Sequence, residues 1–113
     1  MTIAKLRIAA GALALLGFAA AASNAAALSA PEKRGRVLAT RLCAQCHAIG
    51  KADTSQRPGA IPFRRLSQRV NLDTFASRLR QGLMSGHHEM PEFRFSREDS
   101  HAMVAYLRSI QGP

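Results

Sequence analysis

Tryptophan is absent from this chain of 113 residues, and Tyr106 is its only tyrosine. So few large rings leave no stacking platform for unpaired bases, and no nucleic-acid-binding motif is present. Acids are also scarce, with 7 Asp and Glu against 16 Lys and Arg, a formal charge of +9. That balance favours acidic partners over basic ones. No stretch alternates apolar and polar residues as a half-buried strand would, and no repeat recurs along the chain. The charge-free run from Ile8 to Ala22 is fifteen residues long, short of the roughly 20 that a membrane-spanning helix needs. Cysteine occurs only twice, at Cys43 and Cys46. A bridge between thiols this close would shut too short a loop to stabilise much.

What is present in place of a disulfide framework is the run Cys43-Ala44-Gln45-Cys46-His47. Two cysteines two residues apart, with histidine directly after, form the attachment pattern for a c-type haem. Each thiol adds across one vinyl group, so both sulfurs must reach neighbouring edges of one porphyrin. The following imidazole then lies beneath the iron as proximal ligand. Structural zinc would need four ligands, and His87, His88 and His101 supply no second close pair. A thioredoxin-like pair belongs in a βαβ unit, whereas the pattern around Cys43 is helical.

The N-terminus is consistent with this chemistry. Lys5 and Arg7 precede the apolar run, and the small residues Ser23-Asn24-Ala25-Ala26-Ala27 follow it. A basic start, an apolar stretch and an A-x-A site make a secretory signal peptide, expected over residues 1–27, with Ser23-Asn24-Ala25 as the second-best cleavage site. An uncleaved anchor is the less favoured alternative. The domain is then residues 28–113, placed in the periplasm. Its 86 residues carry 14 basic against 7 acidic side chains. A core of that size is marginal by itself, and a buried haem would supply the missing apolar surface.

Along this domain the pattern is all-α. Pro31-Glu32 opens a first helix, with Val37, Leu38 and Leu42 at helical spacing. Gly35 inside it either is tolerated or admits a close neighbour. Residues 50–62, with Gly50, Pro58, Gly59 and Pro62, read as loop. Asn71 and Asp73 introduce a second helix with Leu72, Phe75, Leu79 and Leu83 on one face and Arg78 and Arg80 toward solvent. Ser96 caps a third, in which Met103, Leu107 and Ile110 recur.

An iron held by His47 needs a second axial ligand. Met84 and Met103 fall in helical, apolar settings, and His101 reads as a solvated or interface residue. Met90 stands in the loop Gly86-His87-His88-Glu89-Met90-Pro91, where proline stiffens a side chain crossing the haem face. Met90 is therefore the expected ligand, with His87 or His88 as the alternative.

The order Cys43 to His47, a glycine-proline loop, a short helix, Met90-Pro91 and a last helix with Val104-Ala105-Tyr106-Leu107 resembles the class I cytochromes c, in particular short bacterial monohaem ones. The resemblance spans about Pro31 to Gln111. It implies three to four helices wrapped around one covalently attached haem c, with the N- and C-terminal helices crossing. It also implies that Gly35, eight positions before Cys43, permits that crossing against Tyr106 or Leu107. Two departures stand out. Ala39 occupies a position usually aromatic in the family, leaving Phe93 or Tyr106 to fill the contact. The carbonyl that orients the proximal histidine also falls to Ile61, Pro62 or Pro58 without a decision. The implied function is one-electron transfer by a monomer, not catalysis, with acidic redox proteins such as a periplasmic dehydrogenase or terminal oxidase as partners. Arg57, Arg64, Arg65 and Arg69 would ring the haem edge, unless they form an ordinary solvated face. The alternative function is ligand binding or peroxidase-like chemistry with a labile distal Met90.

Overall fold

The computed structural model describes residues 26–83 and 88–112. The expected signal peptide as far as residue 25, and the candidates Met84 and His87, lie outside the described residues. The described residues form three α-helices and one 3-10 helix: α1 (Ala30–Leu42), the 3-10 helix (Phe63–Gln68), α2 (Leu72–Gln81) and α3 (Arg97–Ile110). Among the described residues there is no strand, only an isolated bridge between Leu83 and Phe93. No described helix is long and apolar enough to cross a membrane.

Local chemistry explains where each helix begins. The Ser29 hydroxyl accepts from the Glu32 N–H, and the Ser29 N–H donates to the Glu32 carboxylate at 2.6 Å. This reciprocal pair, with Pro31 in the first turn, starts α1. It also holds the Glu32 carboxyl below its ordinary value. The Asn71 side chain accepts from the Asp73 N–H to start α2, and Ser96 accepts from Asp99 to start α3. Each such cap stabilises by about 1 kcal/mol. Helix α2 stops at Gln81 because Gly82 turns to φ +106°, a conformation that other residues rarely adopt. Leu83, expected on the helix face, instead leaves the helix and pairs with Phe93.

Helices α1 and α3 pack across each other, and the buried face of α1 is not the one its large apolar residues suggest. Gly35 and Ala39 are its buried positions, while Val37 and Leu42 are exposed and Leu38 is half-buried. The reason is distance. A Cβ placed on Gly35 would fall 2.1 Å from the Ala102 carbonyl oxygen and 2.7 Å from Tyr106 Cβ. Only the small face of α1 can come this close to the α3 backbone. Tyr106, not Phe93, joins Ala39 in the buried cluster, together with Met103, Val104, Leu107 and Ile110 of α3. Phe93 instead pairs with Phe95, which packs against the edge of that cluster, their ring centroids 6.3 Å apart. Arg34 bonds Asp99 at 2.7 Å and Glu98 at 3.1 Å across the rim of the crossing.

From α2, Leu72, Phe75 and Leu79 complete the core. Arg108 of α3 pairs with Asp73 at the start of α2. Gln111 then ties the end of α3 to the 3-10 helix, donating to Phe63 O at 2.8 Å and accepting from Ser67 N at 2.9 Å. These contacts fix the segment from Cys43 to Phe63 against the helical frame.

Candidate haem site

The end of α1 delivers Cys43, and the chain then turns tightly. The N–H groups of Cys46 and His47 both donate to Cys43 O, at 3.1 and 2.9 Å. This turn gathers the two thiols and the imidazole on one short arc. Both thiols are free and half-buried. Burial pushes the Cys43 thiol up to about 11, so at neutral pH it is an uncharged group facing an apolar surround. Among the described residues, no group of three His, Cys, Asp or Glu side chains is assembled to hold a metal ion.

The His47 ring is oriented from two sides. Its Nδ1 lies 2.8 Å from Ile61 O, and the Phe63 ring packs beside it with centroids 5.1 Å apart. A carbonyl only accepts, so Nδ1 carries the proton and Nε2 keeps its lone pair. Ile61 is thus the orienting carbonyl among the three left open by the sequence. What positions Ile61 is the 3-10 helix directly after it, whose Phe63 N–H donates to Ala48 O at 2.8 Å.

The residues that hold this arc include Asp53 and Ser55, which the sequence does not single out, and Tyr106, which it places only at the helix crossing. Asp53 accepts from the N–H groups of Ile49 and Gly50, at 2.9 and 2.8 Å, and Ser55 accepts from Ala48 at 2.9 Å. The Tyr106 hydroxyl donates to Ile49 O at 2.7 Å, linking α3 to the chain just past His47. Burial raises the Tyr106 pKa, so the hydroxyl keeps its proton as a donor. Asp and Ser in a turn-rich loop are a general signal for such backbone capping. Their particular partners arise only when the chain folds back.

Met90 belongs to a different part of the chain, between Leu83 and Phe93, which pair with each other. The base of that loop is closed by Leu83 N–H to Phe93 O at 3.2 Å and Phe95 N–H to Leu79 O at 3.0 Å. Met90 itself is half-buried, Pro91 and His88 are exposed, and Glu89 pairs with Arg57 at 3.0 Å. Of the other candidates, Met103 is buried in the core and His101 is exposed. The four arginines expected to form one basic edge divide in their roles. Arg57 takes Glu89, Arg64 donates to Asp53 O at 2.7 Å, and Arg65 and Arg69 remain exposed beside Ile61, lining a cavity of about 220 Å³.

The family profile for cytochrome c matches residues 32–111, a span that runs from the first turn of α1 to the end of α3. This chain belongs to the cytochrome c family. It is 30% identical over 96 residues to cytochrome c-552 of Bradyrhizobium diazoefficiens, covering 85% of this chain and 90% of that relative. No solved structure matches it significantly. As a class I monohaem cytochrome c, the protein is a haem electron carrier with covalently bound haem c, and its partners are redox proteins. The side chains present suit that cofactor. Two unpaired thiols and an imidazole with its Nδ1 already engaged make a donor set for thioether attachment and Nε2 ligation.

Proposed function

We propose that this cytochrome is an exported, periplasmic one-electron carrier in which Cys43 and Cys46 form the thioethers and His47 and Met90 are the axial ligands. The bond from His47 Nδ1 to Ile61 O carries the reading, because it leaves Nε2 as the one ring nitrogen able to bind iron. The bound haem supplies the Fe(III)/Fe(II) couple. Everything else is the work of the chain. The Ile61 carbonyl holds the imidazole at a fixed angle, with Nε2 turned away from that hydrogen bond. The Met90 thioether favours the reduced state and closes the second face to substrates, so the protein passes electrons without catalysing a reaction.

Replacement of Met90 tests the ligand set. Met90→Ala should keep the haem covalently attached, lose the weak red charge-transfer band of the oxidised protein, and bind carbon monoxide readily when reduced. Its potential should fall, since axial ligands set haem potentials over a range of about 0.8 V. Ready carbon monoxide binding by the unaltered reduced protein would favour the ligand-binding alternative and overturn this reading.

The acid-poor composition supports an acidic partner surface. Arg65 and Arg69 are the exposed arginines beside Ile61, whereas Arg64 is engaged with the Asp53 backbone. Reversing both to Glu should slow oxidation of the reduced protein by hexacyanoferrate(III), an anionic acceptor, by about tenfold at low salt. The rates should converge at high salt, where charges are screened over roughly 8 Å or less. Equal rates at low salt would place electron exit on another face.

A further inference from the structure

We infer that Arg57 is a positioning residue for Met90, bracing the ligand loop against the haem-attachment arc through Glu89. The inference rests on the reading of Met90 as an axial ligand. Arg57 belongs to the Pro58-Gly59 loop, yet its backbone is fixed on both sides. Its N–H donates to Cys46 O at 3.1 Å, and its carbonyl accepts from Ala60 N at 3.1 Å. The guanidinium therefore projects from a rigid point, one hydrogen bond away from an attachment cysteine. Its Nη2 lies 3.0 Å from Glu89 Oε2, and Glu89 directly precedes Met90.

The far end of the same loop explains why a brace matters. Backbone bonds between Leu83 and Phe93 and between Phe95 and Leu79 close the base of the loop but do not reach Met90. Those two bonds do not by themselves set where Met90 lies, and a methionine sulfur is a weak, exchangeable ligand. An ion pair beside Met90 raises the fraction of time the sulfur spends over the iron. Both partners are about half exposed, at 47% and 56% for the side chains. The expected effect is therefore that of a surface pair, about twofold to fivefold in an equilibrium.

The test uses the holoprotein. Arg57→Gln keeps the backbone bond to Cys46 and removes only the charge, and Glu89→Gln does the same from the other side. Each should raise the rate of carbon monoxide binding to the reduced protein about twofold to fivefold at low salt, with a weaker red charge-transfer band when oxidised. The double variant should match either single one, and the swap Arg57→Glu with Glu89→Arg should move back toward wild type. At high salt all should converge, because the pair is screened. Single variants that match wild type, additive effects in the double variant, or effects indifferent to salt would overturn the brace. Met90→Ala, run alongside, separates the two claims. If it retains the charge-transfer band, the ligand assignment has failed. If it loses the band while Arg57→Gln and Glu89→Gln leave it untouched, the brace alone has failed.

Discussion

With both Cys43 and Cys46 replaced by alanine, the domain should fail to retain haem covalently and should lose most of its folded structure. The argument lies in the size of the core. Of the twelve buried apolar residues among those described, three are alanines, Ala39, Ala48 and Ala102, and among the described residues the largest fully buried apolar side chain is Leu107. Chains of this length bury too little surface for much reserve of stability. Around the attachment arc, order rests on a few hydrogen bonds, among them two accepted by Asp53, one accepted by Ser55 and one donated by Tyr106. A porphyrin bound at His47 would add more apolar contact than any side chain in the domain. Without it, the arc has little to pack against. Far-ultraviolet circular dichroism and a thermal melt of the exported variant would measure this. Recovery of a haem-free domain with a cooperative melt near that of wild type would show that the helices need no cofactor.

Gly35→Ala should destabilise the holoprotein, although alanine is the better helix former. Two effects oppose each other here. Removing glycine from a helix interior gains up to about 1 kcal/mol. Against that, the new methyl would sit 2.1 Å from Ala102 O and 2.7 Å from Tyr106 Cβ. The nearest obstacle is backbone, which cannot rotate aside, so α1 and α3 must separate. Overpacking of this kind costs typically 1–3 kcal/mol, and it spreads to Ala39, Met103 and Leu107 at the same crossing. Loss should win by roughly 1–2 kcal/mol, which lowers the melting temperature by about 5–15 °C in a domain this small. Gly35→Val should be worse. A Gly35→Ala melting temperature at or above that of wild type would mean that the crossing relaxes at little cost.

The two variants probe different layers of one arrangement. The helix crossing sets where α3 lies, and α3 carries Tyr106, whose hydroxyl reaches Ile49 O just past the attachment arc. A shift of α3 at Gly35 therefore reaches the residues that hold His47. Gly35→Ala should also change the visible spectrum slightly, while Gly35 itself touches nothing in the arc.

The sequence by itself determined the chemistry and the elements. Local signals sufficed for these: the cysteine-cysteine-histidine spacing, Pro31-Glu32 at the start of α1, and Asn71 and Ser96 at the starts of α2 and α3 act over a few residues. Their physics is readable without knowing what lies across the fold. The resemblance carried by those motifs added the crossing at Gly35, and the helices there are so close that a Cβ on Gly35 would fall 2.1 Å from Ala102 O. Tertiary structure alone decided which face of α1 is buried. Hydrophobicity pointed to Val37, Leu38 and Leu42, but close approach to the α3 backbone selected Gly35 and Ala39, because size outweighs apolarity where two helix backbones nearly touch. It alone chose Ile61 among three carbonyls, since that depends on the 3-10 helix anchored by Phe63 to Ala48. It alone divided the arginines, because an ion pair such as Arg57 with Glu89 joins residues far apart in the chain. Charge lists carry no record of which partners folding will bring within 3 Å.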